Sequence, residues 1–254
     1  MKIVLLTQDD PFYLPESNDD FLNKLKELTG HELVSVIVTD ASPFGKKEKF
    51  FIKVRKTYSI FGLRFFIYYT IKYIVRKMIL RKSVLKVVQK HRVPLWKLNE
   101  SINSSASLDK LKKLAPDLII IIAGNQIIKK EVLDLPKYGV INAHSSLLPA
   151  FKGLLPTFWV LKNNEKLTGV TVYKLGEGID DGPIINSKEI LITKEMSHAD
   201  LVKKAKYVAN DLLIQAIDIV KNPEKFRYSK GGSYYKFPTR ADVKEFYKIR
   251  KKFY

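Results

Sequence analysis

Leu118-Ile119-Ile120-Ile121-Ile122 is followed, beyond a helically spaced stretch near Lys129–Leu133, by a second short apolar run at Val140-Ile141-Asn142. A strand that is apolar at every position is covered on both faces, which is the condition of a parallel sheet between two helical layers. Working outward, Lys2–Thr7 and Glu32–Val38 read as two more buried strands. The helix between them carries Phe21, Leu22, Leu25 and Leu28 on one side. Thr168–Lys174 and Pro183–Ile192 read as a further pair, joined by the Gly-rich turn Gly176–Gly182. Ser197-His198-Ala199-Asp200 has the form of a capping box and opens a long helix with one wide apolar face, which Asn222-Pro223 ends. Thr239-Arg240-Ala241-Asp242 repeats the cap before a last, basic helix. The pattern predicts an α/β fold with a mostly parallel sheet and helices on both faces.

Composition limits the chemistry. The 254 residues include no cysteine and only four histidines, so disulfides, thiolate metal sites and thiol nucleophiles are excluded and no metal site is expected. The opening Met1–Asp10 has too short an apolar run for a signal peptide, so a cytoplasmic protein is expected. The formal charge of +19 is concentrated in two places. Residues 46–92 hold fifteen Lys/Arg against one acid, Glu48, and residues 223–254 hold ten against three. The remainder is close to neutral. We therefore read residues 1–222 as one main domain carrying a basic helical insertion at about 46–92, and residues 223–254 as a basic C-terminal extension. Such segments attract the phosphates of nucleic acid, lipid or nucleotide, or simply form a solvated face.

The loop after the first strand, Gln8–Pro15, contains neither G-x-G-x-x-G nor a Walker-type glycine loop, which argues against a dinucleotide or ATP enzyme. The densest polar stretch is instead Asn142-Ala143-His144-Ser145-Ser146-Leu147-Leu148-Pro149. Asn142 and His144, two apart at a strand end, share one side of the sheet. Together an amide and an imidazole can donate to one developing oxyanion. The plainer reading is that Asn142 caps a loop and His144 satisfies a backbone carbonyl. A second cluster, Gly176-Glu177-Gly178-Ile179-Asp180-Asp181-Gly182, surrounds two carboxylates with glycines, either to let backbone approach a ligand or to make a hairpin tip. A carboxylate that reaches His144 would hold the ring charged and accept a proton.

These elements resemble the folate-dependent formyltransferases. The resemblance rests on Asn142-Ala143-His144, Ser146-Leu147-Leu148-Pro149, Gly153, Thr168-Gly169-Val170-Thr171 and Asp180-Asp181-Gly182-Pro183, in that order. It implies a Rossmann-like formyltransferase fold with a short C-terminal extension, and Asn142, His144 and Asp180 as catalytic residues. It further implies 10-formyltetrahydrofolate as co-substrate, without a metal. The cofactor's pterin end is expected against Ile122, Ala123, Gly124, Asn125 and Gln126 and against Gly176, Glu177, Gly178 and Ile179.

For the acceptor, Gln8–Pro15 lacks the Gly-rich ribose-phosphate loop of the glycinamide ribonucleotide enzymes. The thirty-four residues after Val220 leave no room for the C-terminal barrel of the tRNA enzymes, so tRNA is not the expected partner. The expected acceptor is a nucleotide- or lipid-linked amino sugar of polysaccharide biosynthesis. Methionyl-tRNA, or a catalytically inactive formyltransferase-like binding protein, are the alternatives. Residues 58–90 are read as one helix with Arg64, Lys72, Arg76, Lys82, Lys86 and Lys90 along a basic stripe and a broad apolar face. That face either packs on the enzyme body or lies on an anionic membrane surface, which would make the protein peripheral at the inner membrane face.

Overall fold

A computed structural model describes residues 1–41 and 49–254. The first residues of the expected insertion, 46–48, lie outside the described residues. The main sheet contains β1 (Lys2–Asp9), β2 (Glu32–Asp40), β3 (Leu95–Leu98), β4 (Leu118–Ile121), β5 (Val140–His144), β7 (Leu167–Lys174) and β8 (Ile184–Leu191), in the order β3-β2-β1-β4-β5-β7-β8. The first five strands run parallel, and β7 and β8 are antiparallel additions. A two-residue strand, β6 (Lys152–Gly153), pairs separately with β9 (Tyr234–Tyr235).

Alternation along the central strands divides the interior in two. Ile3, Leu5, Leu118 and Ile120 face one core, against α1 (Leu14–Glu27) and α8 (His198–Ile219). Val4, Leu6, Ile119 and Ile121 face another, against α5 (Ser105–Leu114) and α6 (Lys130–Leu133). Both faces of β4 are thus buried, as its unbroken apolar run requires. The chain crosses from β1 outward to β3 and returns through β4, so strand order reverses between β1 and β4. Open α/β sheets bind ligands in the crevice at such a reversal.

The inserted segment departs from the single helix expected over 58–90. It is broken into α2 (Phe50–Phe61), α3 (Leu63–Tyr73), a π-helical turn at Ile74–Ile79, and α4 (Val84–Lys90). Gly62, at φ +83°, makes the first break, in a region of backbone space that glycine enters without steric cost. Arg81, at φ +50°, marks the second. A wheel at constant angle does not survive such breaks, and the expected basic stripe is dispersed. Arg76 pairs with Glu16, Lys77 with Asp9, Lys82 with Glu16 and Lys90 with Asp19, all toward the enzyme body. Asp9 also accepts from Ser83 Oγ and the Val84 amide, both at 2.8 Å, and so fastens the start of α4 to the end of β1. Burial alone would raise the Asp9 carboxyl, but the hydrogen bonds from Lys77, Ser83 and Val84 hold it below the usual aspartate range.

The two basic segments are neighbours in space. Past the long helix, the chain forms α9 (Arg240–Lys248) and ends in Phe253-Tyr254. Phe246 and Phe253 are buried in the main core. Phe253 meets Phe61 and Phe65 edge-on at 5.6 and 4.8 Å between ring centres, and Tyr254 stacks on Tyr68 at 3.7 Å. Arg240 donates to the Ser59 carbonyl at 2.8 Å.

Candidate active site

β5 delivers Asn142 and His144 at its carboxyl end, and its antiparallel partner β7 sets Tyr173 opposite Asn142 and Thr171 opposite His144. Asp180 comes from the loop joining β7 to β8. That loop is tightly wound: a Cβ on Gly182 would lie 1.7 Å from the Lys174 carbonyl oxygen, and one on Gly178 would lie 1.9 Å from an Asp181 carboxylate oxygen. The glycines there let backbone meet backbone, and Asp180 itself is held at φ +49°. Such a conformation is uncommon outside glycine and is best tolerated by Asp and Asn, whose short polar chains can bond locally.

The three expected catalytic residues converge. Asp180 Oδ2 lies 3.5 Å from His144 Nδ1 and accepts from the Gly153 amide at 2.8 Å. Asp180 Oδ1 accepts from the Tyr173 hydroxyl at 2.6 Å, and that hydroxyl accepts from Asn142 Nδ2 at 3.2 Å. His144 Nε2 lies 2.8 Å from the Phe151 carbonyl oxygen. A carbonyl only accepts, so Nε2 carries hydrogen and Nδ1 is the ring atom turned toward the carboxylate. One ring nitrogen thus satisfies backbone, as the plainer reading of His144 expects, and the other faces the Asp180 carboxylate.

Tyr173 is the residue that sequence reasoning missed. It stands out in the sequence only as an aromatic in a strand, suited to stacking on a ring. In the structure its hydroxyl links Asn142 to Asp180. Burial first, and then the negative charge of Asp180, push its phenol well above the usual tyrosine range, so it remains a donor at neutral pH. Trp159 and Tyr235 stack on each other at 4.7 Å, and the indole donates to the Lys236 carbonyl.

The two expected cofactor-binding segments flank this network. Ile122–Gln126 follows β4, whose Ile121 pairs with Asn142. Ile122 is buried, Ala123 has φ +58°, and a Cβ on Gly124 would meet Ile121 at 2.7 Å. Asn125 and Gln126 use their amides internally. Asn125 Nδ2 donates to Gln8 Oε1 and the Asp40 carbonyl, and Gln126 Oε1 accepts from the Ile102 amide. What this segment offers a ligand is therefore mainly backbone. Across the site, Gly176 is half-buried, Glu177, Gly178 and Ile179 are exposed, and Glu177 lies 4.0 Å from Lys130. Among the described residues no group of three His, Asp or Glu side chains is placed to hold a metal ion.

Residues 71–217 match the family model described as formyl transferase, which is more than half of the chain. The chain belongs to the formyl transferase family. A methionyl-tRNA formyltransferase of Thermodesulfovibrio yellowstonii is 40% identical over 136 residues, covering 54% of this chain and 44% of that protein. The match thus spans less than half the length of that curated relative. Among solved structures, a phosphoribosylglycinamide formyltransferase from Bacillus halodurans superposes with a TM-score of 0.62 at 19% identity, covering 89% of this chain and 96% of that one. A sugar 3N-formyl transferase, WlaRD, solved with dTDP and 5-N-formyl-THF, gives 0.58 at 18% identity, covering 93% and 69%. At those identities the structural matches establish the fold. They agree with the parallel sheet and its two helical layers.

Proposed function

We propose that this formyl transferase moves a formyl group from 10-formyltetrahydrofolate to a primary amine, most simply that of a nucleotide- or lipid-linked amino sugar. The observation that carries the reading is the convergence of Asn142, His144 and Asp180 through Tyr173 and the Gly153 amide. When a neutral amine attacks a formyl carbon, a C–N bond forms and the carbonyl oxygen becomes an oxyanion. Asn142 Nδ2 has a second hydrogen beyond the one given to Tyr173, and His144 Nδ1 can carry another. Both are donors aimed at developing negative charge. Asp180 accepts the proton that the attacking nitrogen releases. When the original C–N bond breaks, that proton leaves with the amine of the departing folate, so charge and atoms balance without a covalent enzyme intermediate.

The co-substrate's flat pterin suits the walls described above. Ile122–Gln126 includes the small residues Ala123 and Gly124, and the exposed Ile179 supplies an apolar edge on the loop that carries Asp180. The sugar-linked acceptor is supported by the fold match to a sugar formyltransferase along nearly all of this chain. Methionyl-tRNA is the second reading, favoured by the 40% identity to a tRNA enzyme over half the chain. Incubation with 10-formyltetrahydrofolate and either a panel of nucleotide-linked amino sugars or methionyl-tRNA separates them. Formylated sugar supports the first reading and formylated tRNA the second. No release of tetrahydrofolate with acceptors of either class would make this a binding protein.

A further inference from the structure

The inserted helices bury one side and leave the other bare. Phe65 is in the main core and Phe61 packs beside it. On the outer side Ile67, Ile71, Ile74 and Met78 follow one another at steps of four, three and four, and all are exposed; Met78 retains 67% of its surface. Ile79 and Leu80 lengthen the stripe. Isolated exposed aliphatics are ordinary in a folded protein, whereas a contiguous row over three helical turns marks an interaction surface.

The charges carried by the inserted helices themselves are of one sign. Residues 49–99 contain no Asp or Glu. The inward bases are engaged by the enzyme body, since Arg76 and Lys82 pair with Glu16 and Lys77 with Asp9. Arg64 and Arg81, both exposed, stand near the two ends of the stripe, and the basic helix α9 packs against α2 beside it. No helix among the described residues is long and apolar enough to cross a membrane.

We propose that this face docks flat on an anionic lipid bilayer, with the aliphatic row at the acyl boundary and Arg64 and Arg81 among the lipid phosphates. A second copy of the chain is disfavoured as occupant, because a self-complementary contact sets the same basic rim against itself. An anionic leaflet meets both the apolar and the charged requirement. The proposal stands on this surface alone and is independent of the acceptor.

Flotation of the full chain tests it, with vesicles of phosphatidylcholine alone and of phosphatidylcholine mixed with phosphatidylglycerol. The protein is expected to float with the mixed vesicles at low salt, weakly with phosphatidylcholine, and to be released near 1 M salt, where the screening length falls to about 3 Å. Ile71→Gln/Met78→Gln, at exposed positions, should stay in the pellet fraction while melting at the wild-type temperature. Arg64→Gln and Arg81→Gln should each weaken partitioning about fivefold. Failure of the wild type to float on the mixed vesicles overturns the proposal, as does equal binding to neutral vesicles or undiminished flotation of the Gln double variant. A dimer in sedimentation that the same double variant dissolves would assign the face to a second copy and also overturn it.

Discussion

The Tyr173 hydroxyl donates to Asp180 Oδ1 at 2.6 Å while accepting from Asn142 at 3.2 Å, so one phenol fixes both a carboxylate and an amide. Tyr173→Phe removes the link and leaves the ring in place. A hydrogen bond to a charged group is worth about 1.5–3 kcal/mol, so kcat should fall by about tenfold or more with the melting temperature nearly unchanged. Loss of KM alone, with kcat intact, would assign Tyr173 to binding and not to positioning.

On the proposed mechanism Asn142→Ala and His144→Ala each delete a donor to the oxyanion and should lower turnover by about a hundredfold or more. Asp180→Asn should be as damaging, because the amide cannot accept the proton while still tolerating the φ of +49°. Asp181, exposed on the same loop, provides the control: Asp181→Asn should retain most activity. Steady-state kinetics on the four variants decide whether Asp180 or its neighbour is the base.

Gly153 has φ +97°, its amide donates to Asp180, and a Cβ there would lie 2.2 Å from the Tyr235 carbonyl oxygen. Gly153→Ala should therefore cost stability, by more than about 1 kcal/mol, and displace the amide from the carboxylate. Urea denaturation and turnover should both suffer, whereas an alanine at exposed Gly231, with nothing within 4 Å, should strain backbone without touching the site.

His198 contacts Thr157 Oγ1 at 3.1 Å and lies edge-on to Phe253. Burial first, then the charge of Lys72, push it down from 6.5 to about 4. Unfolded chains bind this proton near 6.5, and the folded protein does not until about 4. Between those values the unfolded state holds more protons, so stability is full above the interval and falls as the pH drops through it, by about 3 kcal/mol at most. Urea midpoints measured across the interval should decline in the wild type and flatten in His198→Gln.

Much of this architecture is legible in the sequence because its signals are local. β4 is apolar at every position, and the capping boxes at Ser197 and Thr239 form as read. Several elements escape, two of them in the main sheet and its cover. β3 is a four-residue edge strand in which only Trp96 and Leu98 are buried, too short to register against Lys97 and the surrounding bases. The helix opened by Ser104 has few apolar positions and two lysines in its last turn. At the site, Asn142, His144 and Asp180 can be named because the motifs that hold them resemble those of the formyltransferases. The role of Tyr173 depends on strand pairing that places it across from Asn142, a relation thirty-one residues apart that no local pattern carries.

The pairing of Lys152–Gly153 with Tyr234–Tyr235 ties the last part of the chain to the strand whose Gly153 amide holds Asp180. Between those anchors and the long helix runs an exposed stretch, with Tyr228 retaining 80% of its surface. A protease nick there would leave a fragment gripped by its own buried Phe246 and Phe253. The molecule is thus a natural candidate for division into two complementing pieces, neither complete alone, whose reunion could be read directly as recovered turnover.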